Sequence, residues 1–512
     1  MDKYSNNAAV SHLQIPVSDK NTVTELSGDF TLPDYQPEIK RLLRVGAAVL
    51  PPSKYIGDRD AELAGSVDYY VYYVGSDDMP YCAPVTAEYK INVPLEGEGE
   101  ESGGFLTSLT ALADIVPDMI SGRVTAPRKL SIKCRLRSRV QVFGLMALED
   151  GYTHGDNGLQ VLRGRVSESK FLRGSGESFH VTDEMICDSR GGEERVVSAE
   201  GRVLMSEISA IDGGVICRGD VFVKLLLCRE EEGMPYTALR KLPFSSTVPI
   251  EGAMRGDSVT ATGSVCEMGI TVEDNRIGID AGIMLEAQAA HSDEVEYVKD
   301  VYSVSRRCAN GYKTVEIPRD ASCFVGNFTL SDSMSLDEAG LAHGARIIDA
   351  SGSAVAEEYS FDGERCTVSG RARLALLTEK DGEFSSSEIE LPFTYRVGGV
   401  GGADRAACAC EVVSVRAKAD GERVGIDAEI GVSGLAYTLA RESLLSGVAF
   451  GDEIESPRGE IVVSYPSDSD TVWSVAKRYG VELDKLRSAN GIGADIPSDS
   501  RESLADVSFL VI

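Results

Sequence analysis

Three segments of the chain repeat one pattern of alternating apolar and polar residues, and this repeat constrains the fold more than any other feature. The segments are Ala64–Gly97, Arg218–Gly252 and Ser369–Gly399. Each begins as a glycine-led alternating run, crosses a polar turn (GSDD, REEEG or EKDGE) and returns as a second alternating run. Alternation with a period of two residues on both sides of a short polar turn is typical of a β-hairpin.

A second alternating segment follows each of these hairpins. These segments are Ile120–Gly144, Cys266–Ala289 and Cys410–Tyr437, and the last two share the sequences IGIDA and VGIDA after their turns. We interpret them as second hairpins because the alternation is again interrupted by a polar turn.

The repeated layout recurs about every 150 residues, so the sequence predicts three tandem β-rich modules over residues 1–150, 151–305 and 306–457. The predicted fold class is mainly β, with each module a small sandwich or a partly open barrel. Helical spacing is scarce within the modules. The best candidates for short helices are Pro37–Leu43 and Met334–Ala342.

The pattern changes near the C-terminus. Glu460–Tyr465 has the composition of a strand, and Thr471–Tyr479 carries apolar residues at the i, i+3, i+4 and i+7 spacing of one helical face. Leu483–Ala489 is predicted as a second helix, and Val507–Ile512 as a strand that pairs beside the first. The result is a small α+β module of order βααβ over residues 460–512.

The first helix of this module has recognisable ends. Asp470 is the predicted N-cap, where its carboxylate also suits the helix dipole. Gly480 suits the C-terminal cap. Trp473 is the only tryptophan of the chain. Two interpretations of it stay open: a partly buried anchor of the small core, or a ring that stacks on a sugar.

The segments DTVWSVAKRYGV (Asp470–Val481) and LDKLRSANGI (Leu483–Ile492) resemble the LysM family. The resemblance implies a shallow groove that binds N-acetylglucosamine polymers such as peptidoglycan. In that family the groove lies between the loop before the first helix and the loop after the second. Carried over position by position, its residues are Ser469, Asp470, Thr471, Val472, Asn490, Gly491 and Ile492.

The C-terminal module departs from the LysM pattern in its loops. Ser469 stands where the family usually has glycine, and the loop before the last strand lacks the usual Pro-Gly-Gln. Acidic residues near the proposed groove are Asp468, Asp470, Asp495, Asp499 and Asp506. These differences favour a module that docks a partner over one that binds sugar.

The N-terminal segment Leu13–Val45 resembles the opening of the SPOCS-domain proteins of endospore-forming bacteria, chiefly through LPDYQPEI at Leu32–Ile39. The LPFSS and LPFTY segments, which begin at Leu242 and Leu391, fit the same family. Several SPOCS repeats followed by one LysM module is the layout of SipL-like spore-coat morphogenetic proteins. The resemblance implies a protein of the mother-cell cytoplasm that tethers the first coat layer to the forespore surface by binding the coat-basement ATPase.

The charge of the chain limits its partners. There are 51 Lys and Arg against 81 Asp and Glu, a formal net charge of −30. Such a field repels nucleic acid and anionic lipid and is compatible with a basic or an uncharged partner. The N-terminus has no apolar stretch typical of a signal peptide, and no run of about 18 apolar residues occurs. We therefore expect a cytoplasmic protein without a transmembrane segment.

Catalytic and metal motifs are absent from the sequence. The five His are too far apart for a local metal motif, and HExxH and GxSxG do not occur. Gly97–Gly104 is a glycine-rich loop in which Ser102 breaks the spacing of a phosphate loop. Cys408 and Cys410 lie on one face of a strand and are interpreted as core residues. We predict a non-enzymatic scaffold or adaptor without metal or cofactor. The alternatives are a peptidoglycan-binding cell-wall protein and an enzyme whose site no motif marks.

Overall fold

A computed structural model describes residues 11–57, 60–95, 106–148, 151–152, 154, 158–186, 194–229, 234–273, 275–363, 365–454, 461–504 and 507–512. The predicted loop Gly97–Gly104 lies outside the described residues, as does Glu460. The described residues form three β-sandwiches and a small α+β module, so the predicted fold class is confirmed.

Long antiparallel strands build each sandwich. The first sandwich contains β1 (His12–Thr31), β2 (Ile39–Val49), β3 (Ser53–Ile56), β4 (Asp60–Gly75), β5 (Pro80–Pro94), β6 (Leu106–Ala126) and β7 (Lys129–Ala147). The second contains β8 (Leu159–Ser175), β9 (Phe179–Ile186), β10 (Glu194–Ile211), β11 (Gly214–Arg229), β12 (Pro235–Pro249), β13 (Ser258–Glu273) and β14 (Arg276–Ser303). The third contains β15 (Arg306–Ser335), β16 (Arg346–Asp362), β17 (Arg365–Lys380), β18 (Glu383–Val397), β19 (Arg405–Asp420) and β20 (Arg423–Glu453).

The two sheets of each sandwich follow one topology. One sheet has the first strand of the first hairpin at its centre, in the orders β2-β4-β5, β10-β11-β12 and β16-β17-β18, and β3 extends β2 along the edge of β4. The other sheet pairs the second hairpin with the opening strand, in the orders β1-β7-β6, β8-β14-β13 and β15-β20-β19. In the second sandwich β9 continues the edge next to β8. All six predicted hairpins are therefore confirmed as antiparallel pairs.

The C-terminal module is much smaller. It contains β21 (Val463–Ser464), α1 (Val472–Tyr479), α2 (Leu483–Asn490), a 3-10 turn (Arg501–Leu504) and β22 (Leu510–Val511). The strands β21 and β22 pair with each other, as predicted, and the pairing is antiparallel; each strand is shorter than its predicted segment.

Alternation along the central strands places one face of each sheet in a core. Because neighbouring side chains of a strand point to opposite faces, every second residue of β4, β11 and β17 is buried inside its own sandwich. These residues are Val67, Tyr69, Val71 and Tyr73 in the first, Val221, Val223, Leu225 and Leu227 in the second, and Ala372, Leu374 and Leu376 in the third.

A glycine opposite an aromatic residue recurs in the first hairpin of each sandwich. Gly65 pairs with Tyr89, Gly219 with Phe244 and Gly370 with Phe393. In each pair the ring lies over the glycine, where a Cβ atom would clash with it. An aromatic side chain that covers a cross-strand glycine supplies the packing that glycine lacks. This pairing explains why the glycine and the LPF segments recur together.

The two short helices predicted inside the sandwiches are wrong. Pro37–Leu43 leads into β2, which pairs with β4 through two bulges, at Ile39/Arg41 and at Leu42/Arg44. The bulges shift the phase of the alternation, so that apolar residues fall at helical spacing although the backbone is extended. Met334–Ala342 forms the end of β15 and a turn.

The turn within Met334–Ala342 contains part of a helix signal. Ser335 and Glu338 exchange side-chain hydrogen bonds with each other's backbone N–H groups, as in a capping box. Gly340, with a φ of 66°, then ends the turn before it can continue as a helix.

The three sandwiches pack against one another through equivalent positions of the repeat. Tyr72, Leu226 and Leu377 each lie seven residues after the ring-covered glycine of their strand, and each points away from its own core. All three are buried in one apolar cluster shared by the sandwiches. A second shared cluster contains the equivalent second-hairpin residues Phe143, Ala290 and Tyr437, with ring centroids of Phe143 and Tyr437 6.2 Å apart.

Buried charges lie beside the first of these clusters. Arg44 from β2 and Lys224 from β11 contact the carboxylates of Glu200 (β10) and Asp349 (β16), with the Lys224–Asp349 pair at 2.9 Å. The Arg44 guanidinium also lies 4.1 Å from the ring centroid of Tyr72. Burial opposes ionisation of Glu200, but Lys224, Arg44 and the nearby Arg202 outweigh it and lower the pKa of Glu200 to about 2. Two positive and two negative side chains from three sandwiches thus compensate one another.

Candidate functional site

Helix α1 of the C-terminal module begins at a capping box. The Thr471 hydroxyl accepts a hydrogen bond of 3.1 Å from the backbone N–H of Ser474, and the Thr471 N–H donates to the Ser474 hydroxyl at 2.9 Å. The N-cap is therefore Thr471, and the prediction of Asp470 is wrong by one residue. The C-terminal cap is Gly480, as predicted, with a φ of 65°.

Asp470 stabilises the loop before α1 instead of capping the helix. Its buried carboxylate forms an ion pair with Arg478 and accepts a hydrogen bond of 3.0 Å from the backbone N–H of Ser467. The Arg478 guanidinium and the Ser467 N–H lower the pKa of Asp470 to about 2. The carboxylate is thus ionised at neutral pH and engaged within the module.

The side-chain amide of Asn490 joins the end of α2 to the last strand. Its Nδ2 donates to the carbonyl oxygens of Leu486 and Val511, both at 2.8 Å, and its Oδ1 accepts from the Val511 N–H at 2.7 Å. These bonds attach the C-terminal end of α2 to β22. Gly491 then takes a left-handed conformation, with a φ of 66°, as the cap of α2.

Arg487 holds the loop that follows α2. Its buried guanidinium donates to the carbonyl oxygens of Gly493 and Ile496 and, at 2.8 Å, to the Ser498 hydroxyl. The Ser498 carbonyl in turn accepts a 2.9 Å hydrogen bond from the backbone N–H of Trp473. The loop after α2 is therefore attached to the first turn of α1.

The seven predicted groove residues differ in what they offer to a ligand. Ser469 and Gly491 are exposed, and Asp470 and Val472 are buried. The other three, Thr471, Asn490 and Ile492, are partly buried. The polar side chains of Asp470, Thr471 and Asn490 all hold the module together, so exposed backbone and the Ser469 hydroxyl are what these loops present.

An exposed apolar face of the small sheet lies outside the predicted groove residues. Val463 pairs with Val511, and paired residues point to the same side of a sheet. Ile461, Val463 and Tyr465 are 81%, 48% and 77% exposed, and Phe509 near the other strand is 53% exposed. The apolar run Ile461–Val463 marks this segment in the sequence, but the sequence does not show which side of so short a strand the helices cover.

The C-terminal module also contacts the second sandwich. The Trp473 indole N–H donates to Asp300 of β14 at 2.8 Å, and the Lys477 ammonium contacts both oxygens of that carboxylate at 2.7 Å. The ring of Tyr302 meets Trp473 edge-on, with centroids 4.9 Å apart. Trp473 is only 5% exposed. It is thus an anchor, and it anchors the module to a strand outside its own fold.

A cavity of about 270 Å³ lies between the three sandwiches. Its charged lining includes Asp114, Arg139, Arg202 and Glu411, and the lining contains no His. Burial raises the pKa of Asp114 to about 6, against the opposing effect of Arg139. Burial likewise raises the pKa of Glu411, against Arg202. The cavity belongs to the junction of the sandwiches and does not lie within a single one.

No group of three or more His, Cys, Asp or Glu side chains is placed to hold a metal ion in the part of the chain that the structure describes. Among the same residues, no helix has both the length and the apolar character that a membrane crossing requires.

Comparison with known families gives two matches. The family described as SipL, SPOCS domain, matches residues 194–273, which include β10 to β13. The LysM domain matches residues 469–497, which include both helices. No curated protein and no solved structure matches the chain. The two domains are of binding and scaffold types, and their combination is that of a sporulation-associated, SipL-like protein with a C-terminal LysM module.

Proposed function

Because the chain combines a SipL SPOCS domain with a LysM module, we propose that it is a non-enzymatic adaptor in endospore coat assembly. In this proposal three SPOCS-like modules (1–150, 151–305 and 306–457) form one body, and the LysM module (460–512) docks the coat-basement ATPase. The protein then acts in the mother-cell cytoplasm, at the forespore surface, where it tethers coat proteins.

The observation that carries the proposal is the exposed apolar face of the LysM sheet. Ile461, Val463, Tyr465 and Phe509 expose aliphatic and aromatic surface on a module of about fifty residues. Contiguous apolar surface with aromatic residues is typical of the centre of protein–protein interfaces. A glycan offers hydroxyl and amide groups, which this face does not satisfy.

The polar groups of the predicted groove support the same choice. The Asn490 amide is engaged with Val511 and Leu486, and the Asp470 carboxylate with Arg478 and Ser467. A sugar that used these side chains would have to displace bonds that hold the fold. The alternative, peptidoglycan binding, is favoured by the exposure of Ser469 and Gly491, where backbone groups can reach a glycan.

Binding of purified partners to the full chain tests the proposal. The double variant Tyr465→Ser with Phe509→Ser removes two exposed rings of the sheet face. The variant Ser469→Trp obstructs the predicted groove. Tyr35→Ser is the matched control, because Tyr35 is an 81% exposed aromatic residue of the first sandwich. The ligands are purified coat-basement ATPase and purified peptidoglycan.

We expect the double variant to lose at least tenfold in affinity for the ATPase. The other two variants should bind the ATPase like the unchanged chain. Loss of ATPase binding with Ser469→Trp alone would assign docking to the groove instead. The alternative would replace the proposal if the unchanged chain bound peptidoglycan but no ATPase, and if Ser469→Trp abolished the peptidoglycan binding.

A further inference from the structure

Asp300 lies at a bulge near the end of β14. The pairing of β14 with β8 shifts register between Val298 and Asp300. Bulges re-aim the side chains that follow them. The Asp300 carboxylate consequently accepts hydrogen bonds from two strands, β14 and β15, and from the LysM module.

The donors around Asp300 are unusually numerous. Within the sandwiches, the Tyr312 hydroxyl donates at 2.6 Å and the Asn310 amide at 2.7 Å. From the LysM module, Trp473 and Lys477 donate at 2.8 and 2.7 Å. Burial opposes ionisation of Asp300, but the hydrogen bonds from Lys477, Tyr312 and Trp473 outweigh it and lower its pKa.

The two donors of the LysM module lie on one face of α1, and the two residues that they meet lie on one face of β14. Trp473 and Lys477 are four residues apart and therefore share one face of α1. Asp300 and Tyr302 are two residues apart and share one face of β14. Tyr302 packs on Trp473, and its hydroxyl donates a hydrogen bond of 2.8 Å to the Val481 carbonyl oxygen.

Further contacts between the second sandwich and the LysM module lie around the turn between α1 and α2. The Gln160 side chain of β8 accepts a hydrogen bond of 3.1 Å from the Leu483 N–H. Leu162 and Val304 pack against the apolar core of the LysM module. On the other side, Lys299 contacts Asp499 at 2.6 Å.

We propose that Asp300 and Tyr302 form a receptor in the second sandwich for helix α1, and that this receptor holds the LysM module in a single orientation. The receptor covers the α1 face and leaves the sheet face with Tyr465 and Phe509 free. Asp300 is thus a positioning residue for the docking face. This last consequence rests on the proposed function, whereas the receptor itself does not.

Besides its contacts with the receptor, the LysM module has stabilising contacts of its own. Val472, Val475, Ala476, Leu486 and Leu510 form a buried core inside the module, and the capping box of α1 lies within it. Loss of Asp300 therefore weakens the attachment to the second sandwich and releases part of the population, while these contacts within the module remain. A released module has to be ordered again when it binds a partner, and that ordering lowers the affinity.

The single tryptophan provides a direct readout, because all tryptophan fluorescence of the chain comes from Trp473. Asp300→Lys opposes Lys477 with a like charge, and Asp300→Asn is a milder variant of nearly unchanged size. Glu294→Lys is the matched control: the same charge change at an exposed position of the same strand. Lys477→Asp combined with Asp300→Lys restores opposite charges.

We expect both Asp300 variants to shift the emission of Trp473 to longer wavelength and to raise its quenching by acrylamide at least twofold. Glu294→Lys leaves both unchanged, and the reversed pair recovers part of the shift. An unchanged spectrum in Asp300→Lys would overturn the receptor. Affinity for the ATPase is expected to fall about tenfold in Asp300→Lys, and a spectral shift with unchanged affinity would overturn the positioning role. If the unchanged chain binds no ATPase, the proposed function fails, and the fluorescence still decides the receptor.

Discussion

Arg44 of the first sandwich and Asp349 of the third form an ion pair of 3.1 Å, and both side chains are almost completely excluded from solvent. They occupy the same position of the repeat, since Arg44 pairs with Tyr72 and Asp349 pairs with Leu377. The equivalent residue of the second sandwich is Ser198. Three similar modules thus differ where they meet, and opposite charges favour one arrangement of the modules.

Asp349→Ala tests this network. The change leaves Arg44 and Lys224 buried with Glu200 as their remaining anion, and an uncompensated buried charge costs about 3–5 kcal/mol. We expect a loss of this order in the free energy of unfolding, measured by urea denaturation and circular dichroism. Arg218→Ala is the control, because the Arg218–Glu207 pair is exposed and should contribute less than about 1 kcal/mol. Equal losses in the two variants would contradict the network.

Gly219→Ala tests the cross-strand pairing of glycine and aromatic ring. A Cβ at this position clashes with the Leu204 carbonyl oxygen and the ring of Phe244. Forced overpacking of this kind costs about 1–3 kcal/mol in the free energy of unfolding. Gly447→Ala is the control within a strand, because nothing lies within 4 Å of its Cβ position. There we expect no change or a gain of up to about 1 kcal/mol. Similar results for both would show that the ring does not require glycine.

Asn490→Ala tests the bond between α2 and the last strand. The Val511 N–H and carbonyl lose their partner, which costs about 1–3 kcal/mol in the stability of the LysM module. Trp473 fluorescence during urea denaturation follows this module and its contact with β14. The control is Ser488→Ala, at an exposed position of the same helix, and we expect its urea midpoint to equal that of the unchanged chain. A midpoint of Asn490→Ala equal to that of the unchanged chain would show that the amide does not hold β22.

From the pKa of Asp470 we predict how the stability of the LysM module changes in acid. The pKa of Asp470 in the folded chain is about 2, below the value of about 3.9 for an unfolded Asp. The ionised carboxylate therefore contributes stability that is present above pH ~4 and is lost as the pH falls towards about 2. Asp470→Asn should lower the thermal midpoint followed by Trp473 fluorescence at pH 6, and the difference should shrink below pH 4. A difference independent of pH would contradict the ion pair with Arg478.

The LysM module illustrates how much of the site was predictable. The helices and Gly480 were predicted from spacing and cap residues, which act over one or two turns. The N-cap was wrong by one residue because Asp470 and Thr471 are both good caps, and the choice depends on Arg478, which engages the carboxylate. The roles of Asn490 and Arg487 were not predicted, because most of their partners are backbone groups that carry no sequence signal.

The sequence by itself determined the hairpins, the mainly β class and the LysM module, because alternation, turn composition and helix caps act between residues close together in the chain. Only the tertiary structure decided how the sandwiches meet and where the LysM module lies. Arg44 contacts Asp349 across 305 residues of the chain, and Trp473 contacts Asp300 across 173. Such pairs are selected by the packing of completed sheets, which brings together strands that no local pattern connects.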